Sequence, residues 1–141
     1  MTQNYSNHTR YHATFHFVVA PLGLIGLIWS IVHLLTGKPE NHYNAALITI
    51  AFILLFLIGA LTRTYALKAQ DRAIRAEENL RHFILTGKAL DSRLRLGQII
   101  ALRFASDEEF PGLASKAAEE KMSGKDIKQS IQKWRADYYR I

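Results

Sequence analysis

His8, His12 and His16 recur at every fourth position, so a helix through the N-terminal segment would line three imidazoles along one face. Imidazoles at i and i+4 can hold a divalent metal, and one at a membrane edge can ligate haem. The set is incomplete for either purpose. No Cys, Asp or Glu stands beside it, and the second apolar run supplies no His, although a second copy of the chain would. Interfacial histidines that hydrogen-bond to lipid or to neighbouring helices are the stronger reading, and no metal or cofactor is expected. His33, near the end of the first apolar run, reads in the same way. The acidic cluster Asp107, Glu108 and Glu109 offers cation binding or acid–base chemistry, but no nucleophile or base is placed beside it by spacing. Three acids at a helix start fit the positive end of the helix dipole instead. Gly87-Lys88 lacks the rest of a phosphate-binding loop. The chain has no cysteine, which removes thiolate catalysis, disulfides and Cys-ligated metal. The expectation is a protein that is not an enzyme.

The elements that hold these residues divide sharply by composition. Residues 15–35 (FHFVVAPLGLIGLIWSIVHLL) contain no Asp, Glu, Lys or Arg and are long enough to cross a hydrocarbon layer of about 30 Å. Pro21 should kink or loosen the first turns of this span. Gly23 and Gly26 form a smooth patch where another helix can approach, although their spacing is not that of a GxxxG motif. Trp29 is placed to reach the far interface. Residues 36–44 (TGKPENHYN) are polar, contain Gly37 and Pro39, and read as a tight loop. Residues 45–65 form the second span, with Thr49, Phe52, Phe56, Gly59 and Arg63 along the face that could pack on the first. Arg63 stops the apolar run, and Tyr65 is an interfacial anchor. Residues 1–14 form a polar segment without the order of a cleaved signal peptide.

No Gly or Pro interrupts the chain between Leu61 and Gly87, so the second span should continue into water as one rod of about 40 residues, roughly 60 Å long. Along it Ala66, Ala69, Ala73, Ala76, Leu80 and Phe83 alternate by three and four on one face. Asp71 with Arg75, Glu77 with Arg81 and Glu78 with His82 stand at i, i+4. After a break at residues 86–88, Asp91 or Ser92 can cap a helix over residues 94–105, apolar around most of its circumference. Such a helix must be buried or lie on the membrane. Ser106 and Glu109 have capping-box spacing, with Pro111 expected to distort the first turn of the helix leading to residues 113–121. Ser123 and Asp126 form a weaker box before Ile127, Ile131, Trp134 and Tyr138, which read as one amphipathic helix completing a small core. The fold class is therefore all-α: a two-span transmembrane helical hairpin whose second span continues into a small cytoplasmic helical domain, residues 66–141.

The formal charge is +6, and all Lys and Arg except Arg10 and Lys38 follow the apolar part of the second span. That bias predicts a cytoplasmic tail and, with two crossings, both termini in the cytoplasm. It accounts for the charge without nucleic acid as a partner.

Three stretches, Tyr65 to Arg81 (YALKAQDRAIRAEENLR), Ala101 to Glu109 (ALRFASDEE) and Ile127 to Ile141 (IKQSIQKWRADYYRI), together with the hairpin, resemble a family of small bacterial two-span membrane proteins catalogued as a domain of unknown function. The resemblance implies a bacterial inner-membrane protein and brings no activity, substrate or site residue with it. Pro111 departs from a position that is usually helical in that pattern. The function expected is a membrane scaffold or accessory subunit. Its Ala66 to Phe83 stripe, with Ile127, Ile131, Trp134 and Tyr138, would bind a second copy or a larger membrane complex, with membrane lipid as the other partner. The alternatives are a homo-oligomeric channel using Ser30, Thr49 and the terminal histidines, and a metal or haem protein using His12 and His16.

Overall fold

The computed structural model describes residues 4–7 and 13–137, and its long elements are all helical. Two compact units divide between Ala66 and Leu67, and residues 4–7 group with the second.

In the first unit the chain enters through a π-helical turn, Phe15–Val19, followed by α1, Ala20–Thr36. Pro21 has no N–H to give and its ring crowds the preceding turn. The wide turn absorbs this: the Ala20 N–H donates to the Phe15 carbonyl, five residues back. The loosening expected near Pro21 is this π turn. The connection is shorter than the sequence suggested. Thr36 still belongs to α1, Pro39–Asn41 make one 3-10 turn, and α2 starts at His42, so residues 42–44 are helix and not loop. Proline at the first position of that turn presets the helical φ, which is why the helix begins so early.

The two apolar helices pack as an antiparallel hairpin. Phe56 covers Gly23 and Phe52 covers Gly26, so closely that a Cβ on Gly26 would overlap the Phe52 ring. Ala45, Ser30 and Thr49 are buried between them. The Ser30 and Thr49 hydroxyls donate to their own helices, to the Leu27 carbonyl at 2.8 Å and the Ala45 carbonyl at 2.9 Å. The large side chains point outward: Leu22, Trp29, Leu35, Leu55 and Ile58 are all more than half exposed.

α2 is helical from His42 to Thr86. It ends at Gly87, whose φ of 71° is the left-handed conformation a glycine adopts at least cost, with its N–H donating to the Phe83 carbonyl.

The second unit contains the rest of α2, then α3 (Leu96–Leu102), α4 (Phe110–Glu119) and α5 (Gly124–Ser130). Its core is Leu94, Ile99, Leu102, Phe104, Phe110, Ile127 and Ile131, filled in by alanines 101, 105, 114, 117 and 118. The apolar stretch after Leu94 is therefore buried. It is helical over only seven residues. Asp91 does not cap it, because its carboxylate accepts the Arg93 N–H at 2.8 Å and its carbonyl the Leu94 N–H, closing a turn of its own. The start is instead secured by Gln98, whose side chain accepts the Arg95 N–H at 2.7 Å and donates to the Ala117 and Met122 carbonyls. Gly124 lets α5 approach α3, since a Cβ there would stand 3.1 Å from the Gly97 carbonyl oxygen.

Two further expectations are corrected. Pro111 is the second residue of α4, where its missing N–H has no helical partner to lose, so it starts the helix and does not distort it. The last amphipathic helix also stops early. Ser123 and Asp126 form the expected box in both directions, but α5 ends at Ser130 and Ile131 is extended at ψ 122°. Beyond it the backbone pairs with the turn after α3: the Ser106 N–H donates to the Lys133 carbonyl at 3.1 Å, and the Arg135 N–H to the Phe104 carbonyl at 2.8 Å. Glu109 adds two bonds, accepting the N–H groups of Gln132 and Lys133. These partners lie more than twenty residues away and replace the helical bonds that residues 131–134 would otherwise make.

Candidate interaction surface

Residues 67–86 of α2 present two different faces. Ile74 and Glu78 are 7% and 6% exposed, and one turn on, Arg81 enters the core with its side chain 11% exposed. Its guanidinium donates to Glu78 at 2.9 Å, to Asp107 at 2.7 Å and to the Ala105 carbonyl at 2.7 Å, and lies 4.5 Å from the centre of the Phe110 ring. Arg135 approaches the other oxygen of Glu78 at 3.9 Å. One cation thus joins α2, the turn before α4 and α4 itself, with its charge matched and its planar face covered. Arg81 reaches Glu78 and not Glu77, and the ring of His82 turns from Glu78 to the Lys88 carbonyl at 2.8 Å and to the edge of Phe110. The i, i+4 pairing anticipated at both positions is replaced by these tertiary contacts.

The opposite face is the alanine stripe. Ala69, Ala73 and Ala76 are exposed, Ala66 is half-buried, and Leu80 and Phe83 are 60% and 55% exposed, next to Ile84 at 73%. The intervals of three and four place these six residues at the a and d positions of successive heptads. Arg72 then falls at a g position and Glu77 at the following e position, and both are exposed.

The other residues singled out from sequence are dispersed. Ile127 and Ile131 belong to the core, and Trp134 packs on Phe104 with ring centres 5.0 Å apart; Tyr138 lies outside the described residues. His8 and His12 also lie outside them, while His16 meets Phe15 edge-on at 5.3 Å. The acids of the 107–109 cluster separate to three partners: Asp107 to Arg81, Glu108 to Lys133, Glu109 to two backbone N–H groups. Tertiary pairing, more than the helix dipole, explains that cluster. Arg93 holds the Asp91 carboxyl down at about 2, Ser123 lowers that of Asp126, and Glu108 raises the Lys133 ammonium. Glu78, Arg81, Gln98 and Arg103, the last paired with Asp137 at 3.3 Å, carry polar contacts of the core, and sequence reasoning overlooked Gln98 and Arg103 and misassigned the first two. Their only sequence signal is the three-residue spacing of Glu78 and Arg81.

This is an all-α protein in which two helices, Phe15–Thr36 and Pro39–Thr86, are long and apolar enough to cross a membrane, followed by a small helical bundle. The chain belongs to a family of unknown function, DUF6526, which it matches over residues 1–141. No curated protein and no solved structure matches it.

Proposed function

We propose that this chain is a non-enzymatic integral membrane scaffold or accessory subunit, anchored by its hairpin in a bacterial inner membrane with both termini in the cytoplasm, and self-associating through the exposed seam of α2. The observation that supports this is the heptad alternation of Ala66, Ala69, Ala73, Ala76, Leu80 and Phe83 on the face of α2 opposite the one used by its own core. Helices anchored in the same bilayer meet in parallel. In that orientation Arg72 at g faces Glu77 at e of a second copy five positions on, an opposite-charge pair that favours one register. The alanines permit close approach at the membrane-proximal end, and Leu80 and Phe83 supply the larger apolar area further out.

The test is the triple substitution Ala69→Glu, Ala73→Glu and Ala76→Glu in the full chain, read by mass in mild detergent. Six carboxylates brought together along one seam cost several kcal/mol, so self-association should weaken by at least about 100-fold. An unchanged oligomer mass would reject the seam.

A further inference from the structure

The two spans do not pack evenly along their length. Gly23 is closed by the Phe56 ring, which would stand 3.2 Å from a Cβ at that position, whereas Gly59, one turn nearer Arg63, has nothing within 4 Å of its Cβ position. A groove of about 430 Å³ opens there, lined from the first span by Val19 and Gly23 and from α2 by Phe56, Gly59, Ala60 and Arg63. Its cause is local. The wide Phe15–Val19 turn demanded by Pro21 and the small side chains of Ala20, Gly59 and Ala60 leave the space unfilled. The groove begins at Phe52 on α2, and Phe52 to Arg63 covers about 16 Å of helix axis. That is roughly half of a hydrocarbon layer of about 30 Å, the depth of one leaflet.

Among the described residues Arg63 is the only charged one lining the groove, and it stands at the groove's end, where the apolar run of α2 stops. Among the described residues no ion pair or hydrogen bond holds its side chain. A leaflet-deep apolar slot ending in an uncommitted guanidinium matches an acyl chain joined to a phosphate headgroup. We infer that this groove is a binding site for one anionic phospholipid, its acyl chain lying along Gly23 and Gly59 and its phosphate on Arg63. Guanidinium and phosphate form charge-assisted, bidentate hydrogen bonds, and the interface lowers the screening that such a pair meets in bulk water. The inference rests on the proposed membrane placement and is independent of the self-association seam.

The test uses the full chain reconstituted in vesicles of equal phosphatidylcholine and phosphatidylglycerol, extracted mildly, with the retained lipid counted by native mass spectrometry. The wild-type chain should retain phosphatidylglycerol over phosphatidylcholine by about fivefold, the preference expected of one basic residue at an anionic interface. Arg63→Gln should bring the ratio near one, Arg63→Lys should keep most of it, and Gly59→Leu, which fills the slot, should reduce retention of both lipids. Lys68→Gln, the next basic residue along α2, should leave the ratio unchanged. A preference that survives Arg63→Gln, or that falls equally with Lys68→Gln, overturns the site in favour of diffuse interfacial charge. Dissociation of an oligomer by Gly59→Leu with lipid retention unchanged overturns it in favour of a second copy in the groove. Release of the wild-type chain from vesicles by an alkaline wash defeats the membrane placement itself, a failure separable from the others because it precedes any lipid count.

Discussion

The hairpin and the terminal bundle solve the burial problem in opposite ways. Between the two apolar helices the buried residues are Ala45, Ser30 and Thr49, with glycines under phenylalanine rings, and the Leu, Ile and Trp side chains face outward. In the bundle Phe104, Phe110, Leu102 and Ile127 are fully buried, and the charged residues lie mostly outside. A water-soluble protein gains by covering its large apolar side chains. A pair of helices in lipid gains nothing by doing so, because the surroundings are equally apolar, and close backbone contact between small residues becomes the source of attraction. The exposure pattern of the hairpin suits an apolar surrounding, and that of the bundle suits water. On the hairpin Phe17, Trp29, Leu35 and Leu55 are each more than 60% exposed, and contiguous apolar surface of this kind is rare on a monomer in water.

The sharpest way to break the comparison is to truncate large apolar side chains on each side of it. Phe104→Ala should destabilise the bundle by about 3 to 5 kcal/mol, because it removes a fully buried ring and leaves a cavity. Leu57→Ala, at a position 54% exposed on the hairpin, should change the stability of the reconstituted protein by less than about 0.5 kcal/mol. Denaturant titration in detergent, followed by Trp134 fluorescence for the first and by helical signal for the second, measures both. Similar losses at the two sites would erase the distinction between the regions.

Charge comes next. Arg81→Ala leaves Glu78 in the core with only the longer 3.9 Å contact to Arg135 and strips the Ala105 carbonyl of its donor. The bundle should lose about 3 kcal/mol, measured by the same titration. Arg81→Lys should recover only part of this, since an ammonium cannot hold two carboxylates and a carbonyl in one plane. A smaller effect is expected in the hairpin. Gly26→Leu forces a side chain into the Phe52 ring and should cost about 1 to 3 kcal/mol, visible as lost protection of the span amides in hydrogen exchange.

The smallest effect lies at the bundle's exposed edge. Asp91 has a folded-state pKa of about 2 against its ordinary 3.8, held down first by the Arg93 guanidinium and then by the Arg93 N–H. A carboxyl depressed in the folded state contributes stability above its unfolded pKa and loses it as the pH falls through the folded value. Asp91→Asn should therefore lower the bundle's stability slightly at neutral pH and flatten its loss between pH 3.8 and about 2, so that variant and wild type converge below about pH 2. An acid titration followed by circular dichroism separates the two limbs.

Much of the architecture is a direct consequence of local chemistry. Two uncharged runs long enough to span, a helix without Gly or Pro from Leu61 to Thr86, the glycine at its end and the Ser123 box are each determined by a residue and its near neighbours. The two faces that meet in the hairpin are also legible, Gly23 and Gly26 on the first span and Phe52 and Phe56 on the second, but which ring covers which glycine is decided by the packing. Tertiary structure decided which side of residues 67–86 is covered. The three-four period marks the alanine stripe as one face, but nothing local states that Ile74, Glu78 and Arg81 on the other side would take the core. It also decided that residues 131–134 leave the helix, because the groups that claim their backbone, at Phe104, Ser106 and Glu109, stand more than twenty residues earlier in the chain. Helical periodicity is a property of residues three and four apart, whereas a buried ion pair or a bridge depends on which distant segment arrives beside it.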